Sequence, residues 1–190
     1  MLSAILTDMN TTEIALLTKQ DKANFYTIHG DISKAECVIG FSFGYIGQDK
    51  YEKPGKSNEQ LAAFIEKYFP ATPLILQFEI DDALKSLTSA LVIREARQKG
   101  EYLNSREIAE QSLIFMNKHG WKTAAVVTHP AMEARNDAVC KKLGIITITP
   151  SGLEAIEYDS NSAQSWTRDP VSWWEREEGV LEIGMKNNWL

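Results

Sequence analysis

The segment that decides the fold is "KTAAVVTHPAMEARNDAVCKKLGI", residues 122–145. It begins with a short apolar run, which predicts a strand buried on both faces of a sheet. Pro130 then opens an amphipathic stretch that ends at Gly144. Proline in the first turn and glycine after the last turn are typical of a helix. A buried strand followed directly by a helix is the repeating unit of a parallel α/β sheet.

The same alternation extends to both sides of this segment. Three further buried strands are predicted, at residues 35–43, 72–80 and 145–149. Helices are predicted at residues 57–69, 81–100 and 104–120, with a short one near the N-terminus starting at Thr11 or Thr12. The order indicates an α/β fold, a Rossmann-like three-layer sandwich with a mostly parallel central sheet.

A single domain is expected from a chain of 190 residues. Residues 35–150 form its predicted core, and residues 151–190 form an appendage that holds four of the five tryptophans. Asp169 and Pro170 predict the start of a C-terminal helix in this tail. The tail either packs on the core or forms an interface between copies of the chain, so a homo-oligomer through the tail is one expectation.

Charge and hydropathy argue against two classes of partner. The net charge is −6, and no run of basic residues is longer than Lys141–Lys142, which disfavours nucleic-acid binding. No window reaches the ~18 apolar residues of a membrane-spanning helix. Cys37 and Cys140 lie in predicted buried segments and are expected to act as small apolar side chains. We therefore expect a cytoplasmic protein without a membrane partner.

Ligands of open parallel sheets bind beyond the carboxyl ends of the strands, where the strand order reverses. Turns at such ends are predicted after Phe41, after Gln77 and at Thr128. In the third turn, the backbone N–H groups of residues 131–133 are able to bind an anion, and Arg135 is able to clamp it. The alternative is structural: His129 caps the helix and Arg135 forms a local salt bridge.

Two other polar segments are candidates for the same cleft. The loop from Gly40 to Gly47 has neither a dinucleotide nor a P-loop spacing, but its glycines allow backbone N–H groups to approach an anion. Asn104 opens a helix with Glu107 at the spacing of a capping box, which accounts for both residues without a ligand. No catalytic signature and no metal-ligand pattern is complete in the sequence, so we expect no metal and leave enzymatic activity open.

Four stretches resemble, in order, the YdcF/SanA/ElyC-like proteins, also called domain of unknown function 218. They are "AECVIGFSFGYIG", "LNSREIAEQ", "AVVTHPAMEARNDAVCKKLGI" and "WWEREEGVLEIGMK", and they span about residues 35–185. The resemblance implies a Rossmann-like sandwich, a bacterial source and S-adenosylmethionine as the candidate cofactor. It implies a cleft lined by Gly40, Ser42, Gly44, Asn104, Ser105, Glu107, Thr128, His129 and Arg135.

The chain departs from that family at two places. Met132 stands where the family has a histidine, and Gln77, Phe78 and Glu79 replace its Ser-Gly-Gly after the second strand. A phosphate cradle and acid–base catalysis by the missing histidine are therefore not expected.

Three functional hypotheses follow. In the first, a cytosolic protein binds a nucleotide-like or anionic small ligand, with S-adenosylmethionine as a candidate, at the carboxyl edge of the sheet. In the second, it is a hydrolase or transferase in which His129 is the general base, oriented by Glu107 or another acid. In the third, the tryptophan-rich tail makes it an interaction or scaffold protein.

Overall fold

The computed structural model describes residues 26–186 and shows one five-stranded, all-parallel sheet. The strand order is β3-β2-β1-β4-β5. The strands are β1 Cys37–Gly40, β2 Leu74–Gln77, β3 Leu91–Ile93, β4 Thr123–Val127 and β5 Ile146–Ile148. The helix predicted at Thr11 or Thr12, and Trp189, lie outside the described residues.

Five α-helices accompany the sheet in the described part of the chain. They are α1 Lys56–Tyr68, α2 Phe78–Asp81, α3 Ser105–His119, α4 Glu133–Lys142 and α5 Pro170–Lys186. A 3₁₀ turn, Pro130–Met132, precedes α4. No helix among residues 26–186 combines the length and the apolar character that crossing a membrane requires.

Helices cover both faces of the sheet. Successive side chains of a buried strand point to opposite sides, so each strand places apolar side chains on both faces. Val38 packs in one apolar cluster with Leu61 and Ile65 of α1. Ile39 packs in another cluster with Ala109 of α3 and Cys140 of α4. The Rossmann-like three-layer sandwich is therefore confirmed, and every strand pair in it is parallel.

The helix predicted over residues 81–100 is wrong. Its apolar residues recur at helical spacing, but α2 ends at Asp81 and residues 91–93 form the edge strand β3. The backbone N–H of Ala90 donates to the carbonyl of Leu74 at 2.8 Å, and the register pairs Leu76 with Val92. The short run Leu-Val-Ile favours a strand, and pairing with β2 overrides the helical spacing of the leucines.

Helix termini follow the predicted capping residues at two places. The side chain of Asn104 accepts a hydrogen bond from the backbone N–H of Glu107 at 3.0 Å. Asp169 accepts from the N–H groups of Val171 at 3.0 Å and Ser172 at 2.9 Å. These caps place the first turns of α3 and α5, and both helices face the cavity described below.

The tail packs on the body through α5. Trp173 is 2% exposed, and its indole Nε1–H donates to the carbonyl of Ala131 at 3.2 Å. Its ring contacts Phe43 of the loop after β1, with centroids 5.0 Å apart. The first part of α5 therefore belongs to the folded body, and the expected interface between copies stays a prediction.

Candidate functional site

A cavity of about 340 Å³ lies beyond the carboxyl ends of β1, β2 and β3. The chain leaves β1 towards β2 on one side and β4 towards β5 on the other. This reversal of direction leaves a crevice at the sheet edge, where open α/β sheets bind ligands. The volume is in the range of small-molecule sites, about 300–1,000 Å³.

Several separate segments line the cavity. The loop after β1 contributes residues 42–45, the turn after β2 residues 77–79, and the start of α3 residues 104–106. The remaining walls come from α4, the segment 164–167 and α5, including Arg135, Gln164, Trp166, Trp173 and Arg176.

Five of the nine residues expected in the cleft line this cavity. They are Ser42, Gly44, Asn104, Ser105 and Arg135. The structure brings these five together from the loop after β1, from the start of α3 and from α4. The other four, Gly40, Glu107, Thr128 and His129, do not line it.

Gly40 and Thr128 have structural roles in the core of the protein. A Cβ on Gly40 would lie 2.6 Å from Cδ2 of Leu76, so the absent side chain makes room for the core. Thr128 is fully buried, and its hydroxyl oxygen accepts a hydrogen bond from Nδ2 of Asn136 at 3.0 Å. This contact joins the end of β4 to α4.

His129 is enclosed in an aromatic stack. Its ring lies parallel to Phe43 at 3.9 Å and edge-on to Tyr158 at 4.4 Å. Its Nδ1 accepts from the N–H of Ala131 at 3.2 Å, whereas Nε2 has no hydrogen-bond partner among the described residues. Burial lowers the pKa of His129 to about 3, so the ring is neutral. The structural alternative, a histidine cap on the turn before α4, is what the geometry shows.

Glu107 does not orient His129. Its carboxylate accepts hydrogen bonds from Nε of Arg97 at 2.8 Å and from Nη2 at 2.9 Å. These bonds lower the pKa of Glu107 to about 2. The expected catalytic pair is therefore not assembled, because Glu107 is bound to Arg97 and His129 is stacked on Phe43.

Arg135 has a double role in the architecture. It lines the cavity, and its guanidinium forms an ion pair with Glu177 of α5. The guanidinium also lies 5.3 Å from the ring centre of Trp173. Burial raises the pKa of Glu177 to about 7, and attraction to Arg135 opposes this shift. The salt bridge is therefore long-range rather than local, since it joins α4 to the C-terminal helix.

Glu79 is a functional candidate that the sequence analysis did not select. It follows β2, lines the cavity and is 7% exposed. Its Oε2 has no hydrogen-bond partner among residues 26–186. Burial raises the pKa of Glu79 to about 7, although a hydrogen bond to its own backbone N–H and one from Ser42 partly oppose the shift. The available signal was an acidic residue two positions after a buried strand.

Arginines and aromatic side chains of the cavity were also missed. Arg94 pairs with Asp82 at 2.9 Å, and Arg106 pairs with Glu110 at 2.7 Å. Arg176 lies 4.8 Å from the ring centre of Trp166 and forms no salt bridge with the described residues. These residues are scattered along the sequence, so only the fold brings them together.

The charges of the wall favour an anion. Four arginines line the cavity, and two glutamates, Glu79 and Glu101, oppose them. Three of these arginines pair with acids behind the wall, whereas Arg176 forms no salt bridge with the described residues, so its guanidinium is the one best placed for an anion in a chain with a net charge of −6. The N-terminus of α3 adds the positive end of a helix dipole.

One group of side chains has the spacing of metal ligands. Potential ligand atoms of His29, Glu133 and Asp137 lie within 4.8 Å of one another. Glu133 accepts from the hydroxyl of Thr149 at 2.8 Å, and Asp137 pairs with Lys141 at 2.7 Å. With these bonds, the three residues form a structural network that joins the segment before β1 to α4. None of the three lines the cavity.

Comparisons of the chain with protein-family models, with curated proteins and with solved structures each returned no match.

Proposed function

We propose that this protein binds a nucleotide-like or anionic small ligand at the carboxyl edge of its sheet, with S-adenosylmethionine as a candidate. The observation that carries the proposal is an arginine-lined cavity beyond the carboxyl ends of β1, β2 and β3, next to the reversal of strand order between β1 and β4. In open α/β sheets this is the place where ligands bind.

The anionic part of the ligand fits against α3. Asn104 accepts the N–H of Glu107, which leaves the N–H groups of Ser105 and Arg106 without an intrahelical acceptor. Such groups and the helix dipole favour a phosphate or a carboxylate. Arg176 supplies a guanidinium that no acid of the described chain holds in a salt bridge.

A planar part of the ligand fits the aromatic wall. Tyr45, Phe78, Tyr102 and Trp166 line the same cavity. Aromatic rings bind heterocycles by stacking, and Arg176 already lies over the ring of Trp166. A nucleoside with an acidic substituent offers both parts, and so does S-adenosylmethionine, which the resemblance to the YdcF-like proteins also suggests.

We propose binding rather than turnover. The candidate general base, His129, lies in an aromatic stack and does not line the cavity. The cytoplasm is the proposed location, since both cysteines, Cys37 and Cys140, are buried and free. Free thiols are usual in a reducing compartment.

The test is calorimetric titration with adenosine 5′-monophosphate, S-adenosylmethionine and inorganic phosphate, supported by thermal unfolding. A ligand at a hundredfold excess over its Kd raises the free energy of unfolding by about 2.7 kcal/mol. We expect at least one of the two adenosine compounds to bind, and Arg176→Gln to weaken this binding at least tenfold.

The matched control is Lys118→Gln, which removes the same charge from an exposed position on α3. We expect it to leave affinity unchanged. The proposal is wrong if none of the three compounds binds, or if Arg176→Gln binds as tightly as the unaltered protein.

A further inference from the structure

We infer that Glu79 recognises the sugar of the bound ligand by pairing with the vicinal hydroxyl groups of a ribose. This inference rests on the proposed function and goes beyond it, because it assigns the ligand class as a ribonucleoside rather than any anion. It gives a role to an acidic side chain that stands where the YdcF-like proteins have Ser-Gly-Gly.

Glu79 follows the second strand of the β1-α1-β2 unit, and β2 is paired directly with β1. The N–H of Ser42 donates to Oε1 of Gln77 at 3.1 Å, which holds the turn after β2 against the loop after β1. In sheets of this type, a carboxylate of the first βαβ unit binds a ribose hydroxyl at the same edge.

Glu79 is 7% exposed, and its Oε2 has no hydrogen-bond partner among the described residues. A buried carboxyl oxygen without a partner is costly and calls for an explanation. A ligand hydroxyl would supply the missing hydrogen bond. Hydroxyl groups both donate and accept, so they pair with an ionised or a protonated carboxyl.

A ligand could offer Glu79 either a hydroxyl group or an ammonium group. A buried carboxylate is able to bind either one. The wall around Glu79 carries Arg94, Arg106, Arg135 and Arg176, and Arg94 lies 5.6 Å from the ring centre of Phe78, the neighbour of Glu79. A ligand ammonium group placed at Glu79 would lie beside these guanidinium groups, whereas a neutral ribose hydroxyl is compatible with all of them.

The test compares ribonucleotides with analogues that lack the two hydroxyl groups. Adenosine, guanosine, cytidine and uridine 5′-monophosphates are titrated by calorimetry beside their 2′,3′-dideoxy counterparts. We expect the unaltered protein to bind at least one ribonucleotide at least tenfold more tightly than its dideoxy form. In Glu79→Ala the ribonucleotide should lose at least tenfold in affinity, and the preference should fall to within twofold.

Glu79→Gln serves as the second variant, because it keeps the size of the side chain if Glu79→Ala does not fold. It should reduce the preference for ribose at least threefold. The matched control is Glu95→Ala, which removes a carboxylate from an exposed position beyond β3 and outside the cavity wall. The control should bind ribonucleotides and dideoxynucleotides as the unaltered protein does.

The outcomes separate this inference from the proposed function. Equal affinity of the unaltered protein for both sugar types overturns the role of Glu79 and leaves anion binding intact. A ribose preference that persists in both Glu79 variants does the same. If no mononucleotide binds, the ribose inference is wrong, and titration with S-adenosylmethionine and phosphate then decides the proposed function separately.

Discussion

Glu79 and Arg176 differ from the other charged residues of the cavity in their partners. Arg94, Arg106 and Arg135 each pair with an acid, which fixes their guanidinium groups. Arg176 lies over the ring of Trp166, its charge attracts Glu177, and it forms no salt bridge with the described residues. One oxygen of Glu79 has no partner in the described chain. A charged group that the protein itself leaves uncompensated is a candidate for contact with a ligand.

The buried carboxyl of Glu79 should make stability depend on pH. Its pKa is about 7 in the folded protein and 4.5 for an ordinary glutamate. A raised pKa contributes stability below pH 4.5, and this contribution is lost as the pH rises through 7. Glu79→Gln has no titrating proton at this position. Its free energy of unfolding should therefore rise relative to that of the unaltered protein between pH 5 and 8. The integrated difference is on the order of 3 kcal/mol.

Chemical denaturation of both proteins across this pH range measures the effect. The comparison isolates Glu79 because the other titrating groups, including nearby Asp82, are common to both proteins. A difference in unfolding free energy that is the same at pH 5 and pH 8 would show that Glu79 is not held in a desolvated state.

Helices α4 and α5 are joined by a buried ion pair and a buried indole. Arg135 and Glu177 have side chains that are 10% and 4% exposed, and Trp173 lies against the same guanidinium. Through this junction α5 places Trp173 and Arg176 on the cavity wall. The described part of the tail thus contributes to the candidate site.

Removing one partner of the ion pair should be costly. Glu177→Leu leaves the charge of Arg135 buried and unpaired, so it should reduce the free energy of unfolding by about 3–5 kcal/mol. The double variant Arg135→Met, Glu177→Leu removes both charges and should cost at least 2 kcal/mol less than Glu177→Leu alone. Urea denaturation of these three proteins and of Arg135→Met, which completes the cycle, gives the coupling energy, and additive losses would argue against a coupled pair.

Gly44 is the residue at which the loop after β1 meets the segment before α5. Its φ is +71°, and a Cβ there would lie 2.6 Å from both the Ser162 and the Thr167 hydroxyl oxygens. Gly44→Ala should therefore combine backbone strain with a steric clash and cost about 2–4 kcal/mol. It should also weaken ligand binding, because the loop lines the cavity.

Gly100→Ala is the matched control for that substitution. Gly100 has a φ of +87°, but a Cβ there would meet nothing within 4 Å. Gly100→Ala should lose only about 1 kcal/mol of unfolding free energy, from backbone strain without a steric clash. Equal losses for the two variants in thermal and urea unfolding would show that the contact with Ser162 and Thr167 does not matter.

At the scale of the whole molecule, the site depends on parallel strands delivering distant segments to one edge. The loop after β1, the turn after β2 and the residue after β3 meet there, because each of these strands runs in the same direction. The C-terminal helix then covers the remaining side through its contacts with α4. A ligand in this cavity would contact segments as distant in sequence as Ser42 and Arg176.

Much of this architecture was predictable from local patterns. The apolar runs of β1, β2, β4 and β5, the caps at Asn104 and Asp169, and the turn at Gly120 all depend on residues that are near one another in the sequence. Strand β3 was not predictable in this way, since its three residues resemble a continuation of a helical leucine pattern. Only hydrogen bonding to β2 distinguishes the two states.

The candidate site was predictable in part. Strand ends indicated the correct edge of the sheet, and Ser42, Gly44, Asn104, Ser105 and Arg135 do line the cavity. The pattern around His129 looked equally promising, but the ring is covered by Phe43 and Tyr158 from distant loops. A residue type at a strand end indicates chemistry, whereas its accessibility depends on what packs over it.

The amino-acid sequence by itself determined the alternation of strands and helices, and with it the edge at which a ligand would bind, because periodicity and capping are local interactions. Only the tertiary structure decided which polar residues line the cavity. It buried His129, bound Glu107 to Arg97 and Arg135 to Glu177, and gave one oxygen of Glu79 no hydrogen-bond partner among residues 26–186. Desolvation and pairing are set by neighbours that are distant in sequence, and no local pattern contains them.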